Sequence, residues 1–354
     1  LKSCKFRNEN DRETEGIYYL MAAVSNSDAR GVAEPPSAPG TGRRLLRFAS
    51  RFTVQIALLL LITAFSILSP DFLQPGNWSN IIQQSSIIAI AACGATLVII
   101  TAGIDLSVGS VVALAGICSA GLVINQHWPG PAGWFACIAV GLLIGAFNGF
   151  CISHLGLSAF IATLSTLAMG RGLTLALSNG QTVFGLPDSY SFFGGGTLFG
   201  ISVPIIVTVI VFTIMHFILA HTVFGHEVYA IGGNREAARL AGIEVRRVEM
   251  LVYMLAGGLS GFAGLVLTGR LSAAMPSSAT GLELDVIAAV VIGGASLFGG
   301  KGNMIGTFFG VLTIGVLRNG LNLLNVSPFW VQFVQGAVIF VAVLLDAVGQ
   351  KQRR

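Results

Sequence analysis

Charge is what this chain has least of. Only 10% of its 354 residues are Asp, Glu, Lys or Arg, against about 25% in a soluble globular domain. Residues 52 to 220 carry only Asp71, Asp105, Arg171 and Asp188. That scarcity excludes an ordinary soluble fold. No arginine-rich patch with interleaved aromatics occurs, which removes a nucleic-acid surface. The five cysteines, Cys4, Cys93, Cys118, Cys137 and Cys151, form no CxxC pair, and four of them sit in apolar stretches. They read as small core hydrophobes rather than a disulfide or zinc framework. The five histidines have no HExxH spacing. Neither GxSxG nor a P-loop is present, so ATP hydrolysis by the P-loop route is excluded for this chain.

What is present is apolar. Hydrophobic residues make up 54% of the chain, with 45 glycines and 23 phenylalanines, and mean hydropathy is +0.79. Apolar runs this long, with glycines that let helix backbones approach, describe an all-α polytopic membrane protein. Ten spans are expected, near 52–68, 81–101, 107–124, 133–151, 158–178, 200–220, 250–268, 287–297, 303–318 and 329–346. The eighth is too short to cross as one straight helix, so broken or re-entrant segments belong to the architecture. Residues 1–42 are polar, with a PPSAPGTG linker at 35–42, and are expected to be a flexible cytoplasmic tail. Met21 is the expected translation start, which makes residues 1–20 an extension. The transmembrane domain is expected over 43–350.

One polar island interrupts the apolar chain: HTVFGHEVYAIGGNREAARLAGIEVRRVE, residues 221–249. Residues 225–249 hold four glutamates and four arginines, which must lie in water or against a polar partner. Asn234 is placed to cap a short helix from Arg235, and Gly242 to end it. An inter-helix loop or a contact element for another protein both fit. The basic residues decide its side. With both termini inside, twelve Lys and Arg fall on the cytoplasmic side and two, Arg270 and Arg318, outside, the bias of cytoplasmic loops.

Asp105, in TAGIDLSVGS, is the charged group that an apolar stretch tolerates only with water, a polar partner or the protein interior around it. A loop cap, a place on a substrate path and an inter-helix hydrogen bond all remain open. Arg171 is expected to snorkel or meet a carbonyl or carboxylate. Gly141, Gly145 and Gly149 form a small face for close helix packing, with Asn148 able to bond across helices. Gly103, Leu106 and Gly109 align with Gly294, Leu297 and Gly300 at one offset, a pattern of paired broken helices around a transport path.

Four stretches carry a resemblance: GATLVIITAGIDLSVGS at 94–110, YAIGGNREAARLAGI at 229–243, GLELDVIAAVVIGGASLFGGKG at 281–302 and NGLNLLNVSPF at 319–329. Over about residues 50 to 348 the chain resembles the permease subunits of ribose-type bacterial ABC sugar importers. The resemblance implies a dimer of permease copies in the bacterial inner membrane. Cytoplasmic ATP-binding subunits, which hold ATP and Mg, bind below, and a periplasmic sugar-binding protein docks above. It implies a transport subunit rather than an enzyme, with no cofactor of its own. The ATPase-coupling segment maps onto 232–242, with Asn234, Arg235, Glu236, Arg239 and Leu240. The transport path maps onto Gly103, Asp105, Ser107, Gly109, Asn319 and Asn322, and an acidic element onto Glu283 and Asp285. Leu282 stands where ribose permeases commonly have an aromatic, and NLLNVSPF resembles arabinose permeases, so ribose is the first expectation among monosaccharides, ahead of other pentoses and hexoses. The rival functions are an ion-coupled sugar carrier or passive solute channel, using the intramembrane acids, and a membrane enzyme, which lacks a nucleophile or metal set.

Overall fold

Glycine decides how the helices meet. In the computed structural model, which describes residues 52–351 with side chains to 344, one 27-residue helix runs through the middle. Thirteen helices are described: α1 Thr53–Leu68, α2 Pro75–Ile100, α3 Val108–Asn125, α4 Gly130–Ser153, α5 Ala159–Ser178, α6 Asp188–Gly195, α7 Val203–His221, α8 Val223–Gly233, α9 Arg235–Leu240, α10 Val245–Leu271, α11 Leu282–Ile292, α12 Met304–Leu323 and α13 Pro328–Lys351. A two-residue hairpin, β1 Thr197–Leu198 with antiparallel β2 Ile201–Ser202, is the only sheet among the described residues.

The central helix is α10, and α2, α3 and α4 close around it. A Cβ at Gly141 of α4 would overlap the Gly257 carbonyl oxygen of α10, so that crossing requires hydrogen on both backbones. Gly145 and Gly149 continue the same seam against Tyr253 and Met250. In lipid this close approach replaces the hydrophobic drive that water would supply. Asn148, on the same helix, bonds across helices as its position suggests, as described below.

Polar side chains inside the bundle are spent on their own helices. Thr96, Ser153, Thr174, Thr208 and Ser260 each donate to the carbonyl four residues earlier. Large apolar side chains face outward on α1, α5 and α7, among them Leu60, Ile67, Ile161, Leu177 and Phe217. Hydroxyls bonded within their own helices and an apolar exterior are the arrangement a bilayer demands.

Seven helices are long and apolar enough to cross a membrane: α2, α3, α4, α5, α7, α10 and α12. Thr53–Leu68 and Pro328–Leu344 are shorter apolar helices, and α11 has 11 residues. Each of the ten expected segments overlaps a helix, although the second half of the eighth, 293–297, is a turn beyond the end of α11, and length and composition qualify seven helices as spans. Boundaries differ where local chemistry is strong. Helix α2 begins at Pro75, not near residue 81, because proline suits the first helical turn. The stretch 179–202, between the fifth and sixth expected spans, carries α6 and the hairpin, anchored by the buried Tyr190 beside Ser119 and by a bridge from Val183 to Ala274. The expectations for residues 1–42, including a start at Met21, lie outside the described residues.

Candidate functional site

Three regions gather the chemistry. They lie along the bundle from the end that carries α8 and α9 toward the opposite end.

The first is the connection between α2 and α3. Helix α2 stops at Ile100, its end closed by the Thr101, Ala102 and Gly103 amides donating to the Leu97, Ile99 and Val98 carbonyls, and no helix resumes until Val108. Asp105 is buried there. Its Oδ1 accepts from the Ser107 amide at 2.8 Å and the Ser107 hydroxyl at 2.6 Å. A carboxylate at the start of α3 also suits the positive end of the helix dipole. Asn148 of α4 donates to Ser107 Oγ at 3.1 Å, and its Oδ1 accepts from Thr166 of α5. Thr163 of α5 donates to the Ile104 carbonyl at 3.3 Å. The break is therefore held by side chains from two neighbouring helices, and Asp105 fixes Ser107, the residue from which α3 starts, inside the protein. Gly103 packs beneath the Tyr253 hydroxyl of α10, and Gly109 lies against Glu283 of α11. The glycine-rich and acidic elements, 174 positions apart at Gly109 and Glu283, meet here. Arg171 of α5 donates to the Pro276 and Ser278 carbonyls, both at 2.9 Å, which holds the loop before α11 in place.

The second break, residues 293–303, follows α11. It is a compact turn with positive φ at Gly294, Gly299, Gly300 and Gly302, where 101–107 has positive φ at Ala102 alone. The two breaks touch: the Gly300 amide donates to the Ile100 carbonyl at 2.8 Å, and Thr96 and Thr307 hydroxyls meet at 2.8 Å.

The second region is a cleft near the far end of α10. Arg270, which lines it, stands roughly 38 Å of helix from Val245. Two cavities of about 430 and 190 Å³ share Thr280, Asp285 and Arg318. Arg318 donates to the buried Asp285 carboxylate at 2.9 Å. Asn322 lines the larger cavity, while Asn319 turns away and donates to Asn77 Oδ1 at 2.8 Å. The expected transport-path residues thus divide. Asp105, Ser107 and Gly109 cluster at the break, Asn322 faces the cleft, and Asn319 ties α12 to α2. Sequence reasoning missed Gln84, Ser85, Gln332 and Gln335, which line the cleft from α2 and α13. Polar residues in otherwise apolar spans were the signal that would have found them.

The third region is the polar island. Its first half is α8, a helix the glycines at 232 and 233 do not break. Gly232 is helical because only hydrogen fits there: a Cβ would overlap the Ile100 carbonyl oxygen and crowd the Gly300 amide. The Tyr229 hydroxyl donates to the Gly302 carbonyl at 2.7 Å, and burial pushes this phenol above its ordinary 10.0, which keeps the proton it donates. Asn234 then caps α9, its Oδ1 accepting from the Ala237 amide at 3.0 Å. Gly242, with φ +88, ends the segment. Ala238 is buried, whereas Glu236, Arg239 and Leu240 are exposed, Leu240 at 79%. Arg239 pairs with Glu236 at 3.0 Å, and Arg235 turns inward to Glu249 of α10 at 2.7 Å. Arg235 and Arg239 therefore do not present one free basic face.

A family profile described as branched-chain amino acid transport system / permease component matches residues 77–343. The chain belongs to this permease family. Among curated relatives, the ribose import permease protein RbsC of Bacillus subtilis is 47% identical over 301 residues, covering 82% of this chain and 91% of that one. RbsC of Escherichia coli K12 is 45% identical, covering 82% and 92%. The D-allose transport system permease protein AlsC of Escherichia coli is 37% identical, covering 86% and 94%. No solved structure matches. The permease is thus a multi-pass membrane transport component, and its profile match takes in all three regions.

Proposed function

We propose that this permease imports a monosaccharide, ribose or another pentose, as the membrane subunit of an ABC importer. The observation that carries the reading is 47% identity to a ribose import permease across most of both chains, against 37% for the allose and 36% for an Azospirillum brasilense arabinose permease. Two copies form the channel, two ATP-binding subunits hold ATP and Mg at the α9 end, and a sugar-binding protein delivers at the cleft end. Ten helical segments cross the bilayer, with α11 and its glycine turn together making one passage. Both termini and the 221–249 segment face the cytoplasm.

Force enters through α9. An exposed leucine beside a paired Arg–Glu surface, on a short helix capped by Asn234, suits a notch on an ATPase. Closure of the ATPases displaces α9, and α8 and α10 carry the displacement to the breaks at 101–107 and 293–303. An ion-coupled carrier needs acids free to exchange protons. Asp105 is committed to Ser107 and Asp285 to Arg318, which favours the ATP-driven reading.

The test is uptake of labelled ribose by vesicles carrying permease, ATPase and binding protein, with unlabelled pentoses and hexoses as competitors. Uptake should require ATP inside the ATPase compartment and fall most with ribose. Uptake that continues without ATP, or that follows an ion gradient, removes the proposal.

A further inference from the structure

The cleft at the far end of α10 holds more polar hydrogen-bonding capacity than its own residues use. Ser85 is 3% exposed, lines the smaller cavity, and its hydroxyl meets no hydrogen-bond partner. The buried amide nitrogen of Gln335, in the larger cavity, is likewise without one. A buried polar group left unmet costs about 1–3 kcal/mol, so two of them lining adjoining cavities mark a place where a polar guest or second chain completes the site. The combined space falls within the range of small-molecule sites. Asp285 and Arg318 stand between the two cavities as a neutralised pair, with oxygen and N–H groups left over beyond their one mutual bond. Thr280, Asn322, Gln84 and Gln332 add uncharged donors and acceptors around them. Leu284, Val331 and Ile339 supply an apolar wall. An apolar wall facing alternating donors and acceptors is the complement of a sugar ring, with its C–H faces and hydroxyl rim.

We propose that this double cleft is a subsite where a neutral monosaccharide rests on its way through the permease, its hydroxyls bonded by Ser85, Gln335 and the Asp285–Arg318 pair. The inference rests on the sugar-import reading and adds to it the residues that touch the cargo. The site is shallow by design. The ion pair already satisfies its two charges, so a passing hydroxyl gains only the leftover capacity and is not trapped. Arg270 adds one positive charge to the smaller cavity beyond the pair. A carboxylated sugar is therefore the competitor that would expose a charge-selective site instead.

The experiment uses the complete importer in proteoliposomes, with Ser85→Ala and Gln335→Leu permeases, each close in volume to the original. Uptake is measured for ribose, for single-deoxy riboses and for a carboxylated sugar. ATPase stimulation by the loaded binding protein is read in parallel. Each substitution should reduce ribose uptake about fivefold, the effect of one lost hydrogen bond. At least one deoxy sugar should lose less than ribose does, because the bond it lacks is the one removed, and ATPase stimulation should persist. Unchanged ribose uptake in both variants overturns the subsite. So does a loss that is equal for every sugar and accompanied by lost stimulation, which marks a structural role. Preferred uptake of the carboxylated sugar overturns the neutral-cargo assignment. A wild-type importer that carries no monosaccharide at all refutes the function itself, and the subsite with it.

Discussion

Arg235 and Glu249 stand 14 positions apart, yet a guanidinium nitrogen of the first lies 2.7 Å from a carboxylate oxygen of the second. The arginine is half exposed, while the glutamate side chain is 10% exposed. The pair ties the first residue of α9 to the second turn of α10. Any push on α9 is thereby delivered to the helix against which α2, α3 and α4 pack. Tyr253, one turn further along α10, lies over Gly103 at the first break. The path from α9 to the break is thus a short run of packed groups.

Removing one partner leaves the other's charge poorly matched. Arg235→Ala should lower thermal stability in detergent by about 1–2 kcal/mol and reduce sugar uptake per ATP hydrolysed. The exchange Arg235→Glu with Glu249→Arg should recover part of both. A double variant no better than either single one would show that the pair carries no coupling.

The exposed surface of α9 makes a different prediction. Arg239→Glu combined with Leu240→Asp leaves the buried Ala238 and the Asn234 cap untouched. ATPase co-purification and uptake, at matched permease abundance, should fall together while the permease stays folded. Ordinary attachment and uptake in the combined variant would mean that the ATPase docks elsewhere.

Asp105 should prove structural. Asp105→Asn keeps an acceptor oxygen for Ser107, so transport should survive at a reduced level. Asp105→Ala strands the Ser107 amide and hydroxyl and should cost about 2–3 kcal/mol, read as lower thermal stability and abundance. Complete loss of uptake in a well-folded Asp105→Asn permease would assign the carboxylate a direct part in transport.

Gly141→Val should be among the most damaging substitutions in the bundle. Its side chain would enter the space of the Gly257 carbonyl, and overpacking of this kind costs about 1–3 kcal/mol or more. Gly172→Ala, at a helical position with nothing within 4 Å of the added carbon, should leave the melting temperature unchanged. Equal behaviour of the two variants would refute the glycine seam.

Orientation is checked by chemistry from outside. Cysteines introduced at Ser37 and Gln352 should react with an impermeant thiol reagent only after the membrane is opened. Labelling of either in intact cells would reverse the topology.

Much of this permease was legible before any coordinates. Hydropathy located ten helical segments because apolar side chains and internally bonded backbone are what a bilayer requires, whatever the neighbours. The cap at Asn234, the stop at Gly242 and the small face on α4 were local matters, set by side-chain reach and by the absence of a Cβ. Arg171 found carbonyls because a guanidinium in apolar surroundings must find acceptors. Tertiary structure alone decided the remainder. Gly232 and Gly233 stay helical where they pack against Ile100 and Gly300. Arg235 is paired by Glu249, which stands in another helix. The meeting of Gly109 with Glu283, and the convergence of Ser85, Asp285, Arg318 and Gln335 on one cleft, join residues far apart in the chain. Distances of that kind arise from how helices cross, and periodicity along a single helix carries no record of which partner each face will meet.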